Sequence, residues 1–285
     1  MEGLVTETES LYHFIQVVVE PFGQCKEANH LYLNEGVAIH SVKCLDPAVE
    51  TRGFWSYMAA APLYRDDPES TGEVLMIGLA GGTIPRQLLE AFPDAHVDGV
   101  EIDGDVVAIG ETYFDNADPR ITPYVMDGRV FLQSVDRRYD VILVDAYRQP
   151  YIPFHLTTVE FWTEVSEHLT EDGVVALNVA SARGVSDALV RRMYATLRRV
   201  FPAVHYVDAT ASNDILYALK RDKPQTVADD HLQALKTVKG LDQIRPVLRK
   251  KTRGPVEGWE DAMILTDDQA PVEMIWDLMA LQYAG

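Results

Sequence analysis

Glycines and carboxylates stand at the ends of successive apolar runs, where they could bind a ligand. The run VLMIG leads into the loop GLAGGT, in which Gly78, Gly81 and Gly82 let the backbone turn tightly and approach a ligand closely. The N–H groups at the start of the following helix favour an anion. Glu101 lies at the end of the next run, in VEID, and Asp127 follows the third run, in MDG.

This order of residues predicts a nucleoside pocket. A carboxylate at Glu101 can accept hydrogen bonds from both ribose hydroxyls, and Asp127 can accept one from the adenine amino group. Each acid alone could instead cap the helix that follows it. Asp145, which ends the fourth run in YDVILVDA, faces the reactive end of such a ligand and favours a transferase. A dinucleotide is the alternative, although GLAGGT departs from GxGxxG.

The elements around these residues predict an α/β fold. From Val74 onward, apolar runs alternate with helical stretches such as those from about Thr158 to Leu169 and Ser186 to Phe201, which is typical of a doubly wound, Rossmann-like, mostly parallel sheet. Alternating apolar and polar positions in residues 10–43 predict a small N-terminal antiparallel β domain. We therefore expect a β domain plus helix over 1–70 and a nucleoside-binding domain over 71–285.

The tail is expected to follow a last strand, NDILYALK, and to consist of helices with a loop around RGPVEGWED. Within it, Thr266 or Asp267 is expected to cap the final helix.

Composition narrows the class of protein. The net charge of -19 disfavours nucleic-acid binding, and no apolar run approaches the roughly 18 residues of a membrane span. Cys25 and Cys44 are the only cysteines, so we expect free thiols and a cytoplasmic protein. The spacing of His, Asp and Glu predicts no metal site.

The motifs resemble those of the spermidine synthase-like aminopropyltransferases, which have a class I S-adenosylmethionine-dependent methyltransferase core. The resemblance runs from about Ser10 to Asp208 and rests on SLYHFIQV, LYLNEG, VEID, MDG and YDVILVD. It implies decarboxylated S-adenosylmethionine as donor, an amine as acceptor, and Asp145 as the group that activates this amine. Because family members commonly pair through their N-terminal sheets, it also implies a homodimer.

Three departures affect the donor and the acceptor. The acid of the family's GGGDGG loop falls on Gly81, and its D-x-x-D-P pattern becomes DAYRQP, which offers Arg148 or Gln149. The family's Tyr-(Gln/His)-Glu element aligns with residues 54–56, which read FWS. A cation beside a diammonium is repulsive by about 4 kcal/mol at 4 Å and the effective dielectric near a protein surface. The departures make polyamine synthesis doubtful and favour intact S-adenosylmethionine, a methyl donor.

The sequence thus predicts an alkyltransferase that acts on a small molecule, with S-adenosylmethionine or its decarboxylated form as donor. A noncatalytic nucleoside-binding homologue and an NAD-dependent oxidoreductase remain as alternatives. The predicted catalytic residues are Asp145 and Tyr147. The predicted donor-binding residues are Gly78, Ala80, Gly81, Gly82, Glu101, Ile102, Asp127, Gly128 and Asp145. The predicted acceptor pocket is lined by His13, Trp55, Arg148, Tyr151 and His155.

Overall fold

A computed structural model describes most of the chain. The described residues are 2–34, 38–49, 51–147, 151–181, 187–234, 252–253 and 255–283. Among them, no helix combines the length and the apolar character that crossing a bilayer requires.

The N-terminal part is an antiparallel sheet of four strands in the order β1-β2-β3-β4. Ile15 and Val17 of one strand and Leu31 and Leu33 of the next share a buried apolar cluster, although the intervening Val18 is buried as well. The strands are β1 (Leu4–Glu9), β2 (Phe14–Phe22), β3 (Cys25–Leu33) and β4 (Ile39–Cys44).

Cys25 and Cys44 form a disulfide, so the expectation of free thiols is wrong. One cysteine begins β3 and the other ends β4, and the two neighbouring antiparallel strands bring their Cα atoms to 5.8 Å. The separation of 19 residues gave no sign of this pairing in the sequence, because register is a property of the folded sheet.

A short helical segment connects the two sheets. It contains α1 (Phe54–Ala59) and two 3₁₀ helices, Ala61–Tyr64 and Pro68–Ser70. The expected domain boundary at residue 70 falls at the end of this segment, and the division into two domains stays a prediction.

The second sheet has eight strands and is mostly parallel, as predicted. Five neighbouring strands, in the order β9-β8-β5-β6-β7, run parallel, and an antiparallel group of three extends the β9 edge in the order β11-β10-β12. The strands are β5 (Glu73–Ile77), β6 (His96–Glu101), β7 (Ile121–Val125), β8 (Tyr139–Val144), β9 (Leu169–Ala180), β10 (Ala203–Asp208), β11 (Asn213–Leu219) and β12 (Thr252–Arg253).

Helices connect the parallel strands and bury the sheet. Residues of β5 alternate between two apolar clusters: Val74 and Met76 belong to one, and Leu75 and Ile77 to the other. A sheet covered on both sides explains why its strands are continuous apolar runs. The helices are α2 (Thr83–Ala91), α3 (Gly104–Tyr113), α4 (Gly128–Ser134), α5 (Val159–Glu167), α6 (Ala188–Leu197), α7 (Val227–Ala234) and α8 (Val272–Tyr283), with a 3₁₀ helix at Phe154–Leu156.

The helix boundaries differ from the prediction by a few residues. Thr158 is the N-cap of α5 rather than its first residue, since its hydroxyl accepts a hydrogen bond from the Phe161 N–H. In the tail, Thr252–Arg253 forms a short strand beside β10, where we expected helices and a loop.

Candidate functional site

The ends of four adjacent parallel strands bring the predicted site residues to one edge of the sheet. Strand β5 lies between β8 and β6, and β7 lies beyond β6. Gly78, Glu101, Asp127 and Asp145 each lie at, or within two residues of, the carboxyl end of one of these strands. In open α/β sheets this edge is where ligands bind.

Gly78 is required where the ends of β5 and β8 touch. Its φ of +89° lies in the left-handed region, and a Cβ there would lie 2.4 Å from the carbonyl oxygen of Asp145. The Asp145 N–H donates to the Ile77 carbonyl oxygen at 2.9 Å, so the two chains are in direct contact. Any side chain at Gly78 would therefore displace Asp145.

The N–H groups of the glycine loop bind the protein itself. The Ala80 N–H donates to Glu101 Oε2 at 2.9 Å, the Gly81 N–H to Ser41 Oγ at 2.9 Å, and the Gly82 N–H to the Leu79 carbonyl oxygen at 3.0 Å. These three groups are not available to the anion that the sequence suggested. Their bonds fix the loop against β4 and β6.

Gly81 does not face the ligand side of the loop. A Cβ at Gly81 would lie 2.8 Å from the Cβ of Ser41 and 3.0 Å from the ring of Phe114, so an acid has no room there. Ala80 instead lines a cavity together with Asp145. A side chain at Gly81 would therefore require Ser41 or Phe114 to move, and the loop residues that line this cavity are Gly78, Leu79 and Ala80.

Glu101 is a buried carboxylate with three backbone donors. Its Oε1 accepts from the N–H groups of Ile102 and Asp103, and its Oε2 accepts from Ala80. Burial raises the pKa of the Glu101 carboxyl above its usual value, and the backbone donors oppose that shift. A carboxylate has about four acceptor positions, so one remains for a ligand hydroxyl.

Asp127 caps α4 and also binds His155. Its Oδ1 accepts from the N–H groups of Arg129 and Val130, which is the capping role that each acid could have on its own. Its Oδ2 lies 2.8 Å from His155 Nε2. The His155 hydrogen bond holds the pKa of the Asp127 carboxyl below its usual value.

A cleft of about 400 Å³ opens beside Asp127 and the end of β6. Two apolar side chains on its wall, Ile102 and Val125, are 37% and 59% exposed. Exposed apolar walls next to a carboxylate suit a flat ring that carries an amino group. The lining residues are Ser10, Leu11, Tyr12, Ile102, Asp103, Gly104, Asp105, Val125, Met126 and Asp127.

A second cavity, of about 10 Å³, lies beside Asp145. Trp55 and Ala80 line it, as does His40, which the sequence analysis did not select. Burial, and to a smaller extent the nearby His13, lower the pKa of His40 to about 4, so this imidazole is neutral at physiological pH. The only carboxylate on the described wall of this cavity is Asp145.

Asp145 is a carboxyl group with a raised pKa. Burial raises its pKa to about 7, and a hydrogen bond from Asn178 Nδ2 to Asp145 Oδ1, 2.8 Å long, opposes that shift. A carboxyl group that titrates near neutral pH can exchange protons with a substrate. The predicted partner Tyr147 is engaged elsewhere: its hydroxyl donates to the Asn178 carbonyl oxygen and accepts from the Ala180 N–H.

The predicted acceptor-pocket residues are spread over three places. Trp55 lines the cavity beside Asp145. His13 Nδ1 lies 2.8 Å from Asp103 Oδ2, and His155 binds Asp127, so both histidines contact residues of the cleft. The Tyr151 hydroxyl donates to Asp277. Arg148 lies outside the described residues.

The family of the chain is identified from the sequence of the whole domain. A model of the spermine/spermidine synthase domain matches residues 55–228, more than half of the chain. The chain belongs to the spermine/spermidine synthase family. The resemblance inferred from the motifs is confirmed.

Relatives and solved structures support the same family and fold. A probable polyamine aminopropyl transferase of Bifidobacterium longum is 30% identical over 96% of this chain and 62% of its own length. The human eEF1A lysine and N-terminal methyltransferase is 28% identical over 71% of this chain and 29% of its own length. A spermidine synthase in complex with the transition-state analogue AdoDATO is 18% identical over 88% of this chain and 84% of its own, with a TM-score of 0.69.

The chain is therefore similar to both aminopropyltransferases and methyltransferases. The chain spans less than two thirds of the length of either sequence relative.

An ion-pair network joins the C-terminal segment to the site. Arg129 binds Glu164 of α5 and Asp267, and the Thr158 hydroxyl donates to Asp267 Oδ1 at 2.6 Å. Asp267 therefore ties the tail to α4 and α5, and the expectation that it caps the final helix is wrong. Sequence spacing gave no sign of this network, because its members lie up to 138 residues apart.

Proposed function

We propose that the protein transfers an alkyl group from an S-adenosylmethionine-type donor to a small nucleophile. The observation that carries this proposal is the placement of Glu101, Asp127 and Asp145 around one edge of the sheet, beside a cleft for a flat ring.

The nucleoside part of the donor has matching chemistry in the described residues. The remaining acceptor position of Glu101 binds a ribose hydroxyl, and Ile102 and Val125 flank the adenine ring. Asp127 accepts from the adenine amino group, which requires His155 to share or release Asp127 Oδ2. The AdoDATO complex of the related spermidine synthase supports a donor of this class.

Asp145 acts as the base for the acceptor. It takes a proton from an amine or hydroxyl as the lone pair of that group forms the new bond to carbon. The electrons of the broken carbon–sulfur bond return to sulfur, which leaves as a neutral thioether. Because a sulfonium is already a good leaving group, alignment of the nucleophile and one base suffice.

The donor that we propose is intact S-adenosylmethionine, and the group transferred is methyl. The described wall around Asp145 supports this choice because it offers no second carboxylate for a diammonium acceptor or for the free amine end of a decarboxylated donor. Ala80, Trp55 and His40 are neutral there. The human methyltransferase relative is consistent with methyl transfer.

Calorimetry with methylthioadenosine and both donor forms tests the binding half of the proposal. We expect methylthioadenosine to bind, and intact S-adenosylmethionine to bind more tightly than its decarboxylated form. Glu101→Gln should weaken the binding of methylthioadenosine about tenfold or more, since a hydrogen bond to a charged group contributes about 1.5–3 kcal/mol. Glu111→Gln, exposed on α3, is the matched control and should leave binding unchanged. Preference for the decarboxylated donor would contradict methyl transfer.

A noncatalytic nucleoside-binding role is the second candidate, and the small size of the cavity beside Asp145 favours it. Asp145→Asn separates the two. In an enzyme, this variant loses transfer of labelled methyl from the donor to candidate amines while methylthioadenosine still binds. In a binding protein, wild type and variant bind the nucleoside alike and neither transfers the label.

A further inference from the structure

Asp145 is the end of a chain of hydrogen-bonded side chains that crosses two strands. Asn178 of β9 donates to Asp145 Oδ1 at 2.8 Å. Asn213 of β11 donates to Asn178 Oδ1 at 3.1 Å, and the Thr210 hydroxyl donates to Asn213 Oδ1 at 3.1 Å. Ser212, in the same turn, also donates to Asn213 Oδ1, at 3.2 Å.

Every bond in this chain points the same way. An ionised carboxylate only accepts hydrogen bonds, so Asn178 must present its NH₂ group to Asp145 and its oxygen to Asn213. The NH₂ group of Asn213 then faces Asn178, and its oxygen faces the two hydroxyls. The pairing of β9 with β11 makes this geometry reachable, because Asn178 lies opposite Ile215 and diagonal to Asn213.

The position of Asn178 is unusual for an amide. It is 3% exposed and stands among apolar residues of β9, where an amide is costly unless its donors and acceptor are bonded. Within the described part of the chain, Asn178 is the one side chain that donates to Asp145. Its backbone also binds the Tyr147 hydroxyl, so β9 holds both ends of the segment 145–147.

We propose that Asn178 and Asn213 are positioning residues for Asp145: the directed amide chain anchors Oδ1 and leaves Oδ2 to the acceptor. This inference rests on the proposed role of Asp145 as the base. The Asn178 hydrogen bond stabilises the ionised form, and burial opposes it. Among the described residues, the other polar groups near this carboxylate are the neutral His40 and Trp55 in the cavity and the half-buried Tyr147, so the amide chain is the main described group that stabilises its charge.

Carbon-13 NMR of protein labelled at the aspartate carboxyl carbons tests the chain without knowledge of the acceptor. The Asp145 signal is the one absent from Asp145→Asn, and we expect its midpoint in the wild type near pH 7. Asn178→Ala should raise that midpoint by about one unit, because an uncompensated buried carboxylate holds its proton more tightly. Asn213→Ala should raise it by less, since it frees the Asn178 amide to rotate.

Asn29→Ala is the matched control. Asn29 is also a buried strand amide, and it donates to the Tyr113 carbonyl oxygen at 2.8 Å, away from Asp145. The Asn29→Ala variant should lose stability without a change in the midpoint of the Asp145 titration. If Asn178→Ala does not fold, Asn178→Leu, which keeps the size of the side chain but has no donor, and Asn213→Ala carry the test. An unchanged midpoint in the Asn178 and Asn213 variants, or an equal shift in Asn29→Ala, overturns the inference.

Methylthioadenosine binding, measured on the same samples, keeps the two proposals distinguishable. Failure of the wild type to bind it overturns the proposed function, whereas the NMR midpoints report on the amide chain alone.

Discussion

The buried carboxyl of Asp145 makes the stability of the fold depend on pH. Its pKa of about 7 in the folded state is above the usual value of 3.8. A raised pKa contributes stability that is fully present below the unfolded value and is lost as the pH rises through the folded value. The charged form thus costs stability at neutral pH.

Asp145→Asn removes that cost. We expect the variant to gain stability over the wild type progressively from about pH 4 to about pH 7, reaching about 2 kcal/mol after an allowance for partial solvent screening, and then to level off. Urea denaturation of both proteins across this range measures the difference. A constant difference at every pH would show that Asp145 is not shifted.

We expect Tyr147 to hold structure rather than the acceptor. Tyr147→Phe leaves the half-buried Ala180 N–H without its acceptor, so we expect a loss of about 1 kcal/mol in the free energy of unfolding. Methylthioadenosine affinity should change less than about twofold, because Tyr147 does not line the cleft that we propose for adenosine. Unchanged stability together with lost methyl transfer would instead restore the catalytic role that the sequence suggested.

The sequence revealed the acids of the site more readily than the amides. Glu101, Asp127 and Asp145 end apolar runs, and the carboxyl ends of parallel strands meet at one edge. Asn178 stands inside the run GVVALNVA, where a lone amide has no pattern around it. Its partner Asn213 becomes visible only when the register of β9 and β11 is known.

At the scale of elements, strand β4 is the support of the glycine loop. Ser41 binds the Gly81 N–H, and the backbone of Val42 binds the Thr83 hydroxyl and Arg86. The Cys25–Cys44 disulfide fastens the end of β4 to β3. The disulfide therefore stabilises the strand that holds the donor side of the site.

Reduction of this disulfide should destabilise the fold by about 3 kcal/mol, as expected for a closed loop of this length. Reduction should also weaken the binding of methylthioadenosine several-fold, because β4 would hold the glycine loop less firmly. Thermal unfolding and calorimetry with and without reductant measure both effects. The double variant Cys25→Ser and Cys44→Ser is the control. It should have the stability and affinity of the reduced protein, and reductant should change neither. A wild type that ignores reductant would contradict the pairing.

Periodicity predicted the elements better than their ends and partners. Continuous apolar runs identified the parallel strands because both faces of the sheet are covered. The strand Thr252–Arg253 has only two residues, which is too short for an alternation of apolar and polar residues. Only its pairing with β10 defines it. The same holds for Asp267, whose partner Arg129 is fixed by tertiary packing.

For the whole molecule, the net charge of -19 gives polyamines a way to bind that has nothing to do with the site. The summed field of an acidic protein concentrates polycations at its surface, and this attraction is screened within a Debye length of about 8 Å at 0.15 M salt. A binding signal for a polyamine is therefore no evidence of polyamine chemistry unless it depends on Asp145 and survives salt.

Spermidine should bind weakly, at several equivalents, in about 0.01 M salt, and the signal should largely vanish in about 0.15 M salt. Asp145→Asn should not alter it, because the described wall of the cavity holds a single carboxylate and a triamine requires more. Calorimetry of both proteins at the two salt concentrations makes the comparison, with methylthioadenosine as the ligand whose binding should resist salt. Saturable one-to-one spermidine binding in the higher salt, lost in Asp145→Asn, would mean that the acceptor is a polyamine after all, and that its second ammonium is held by residues outside those described.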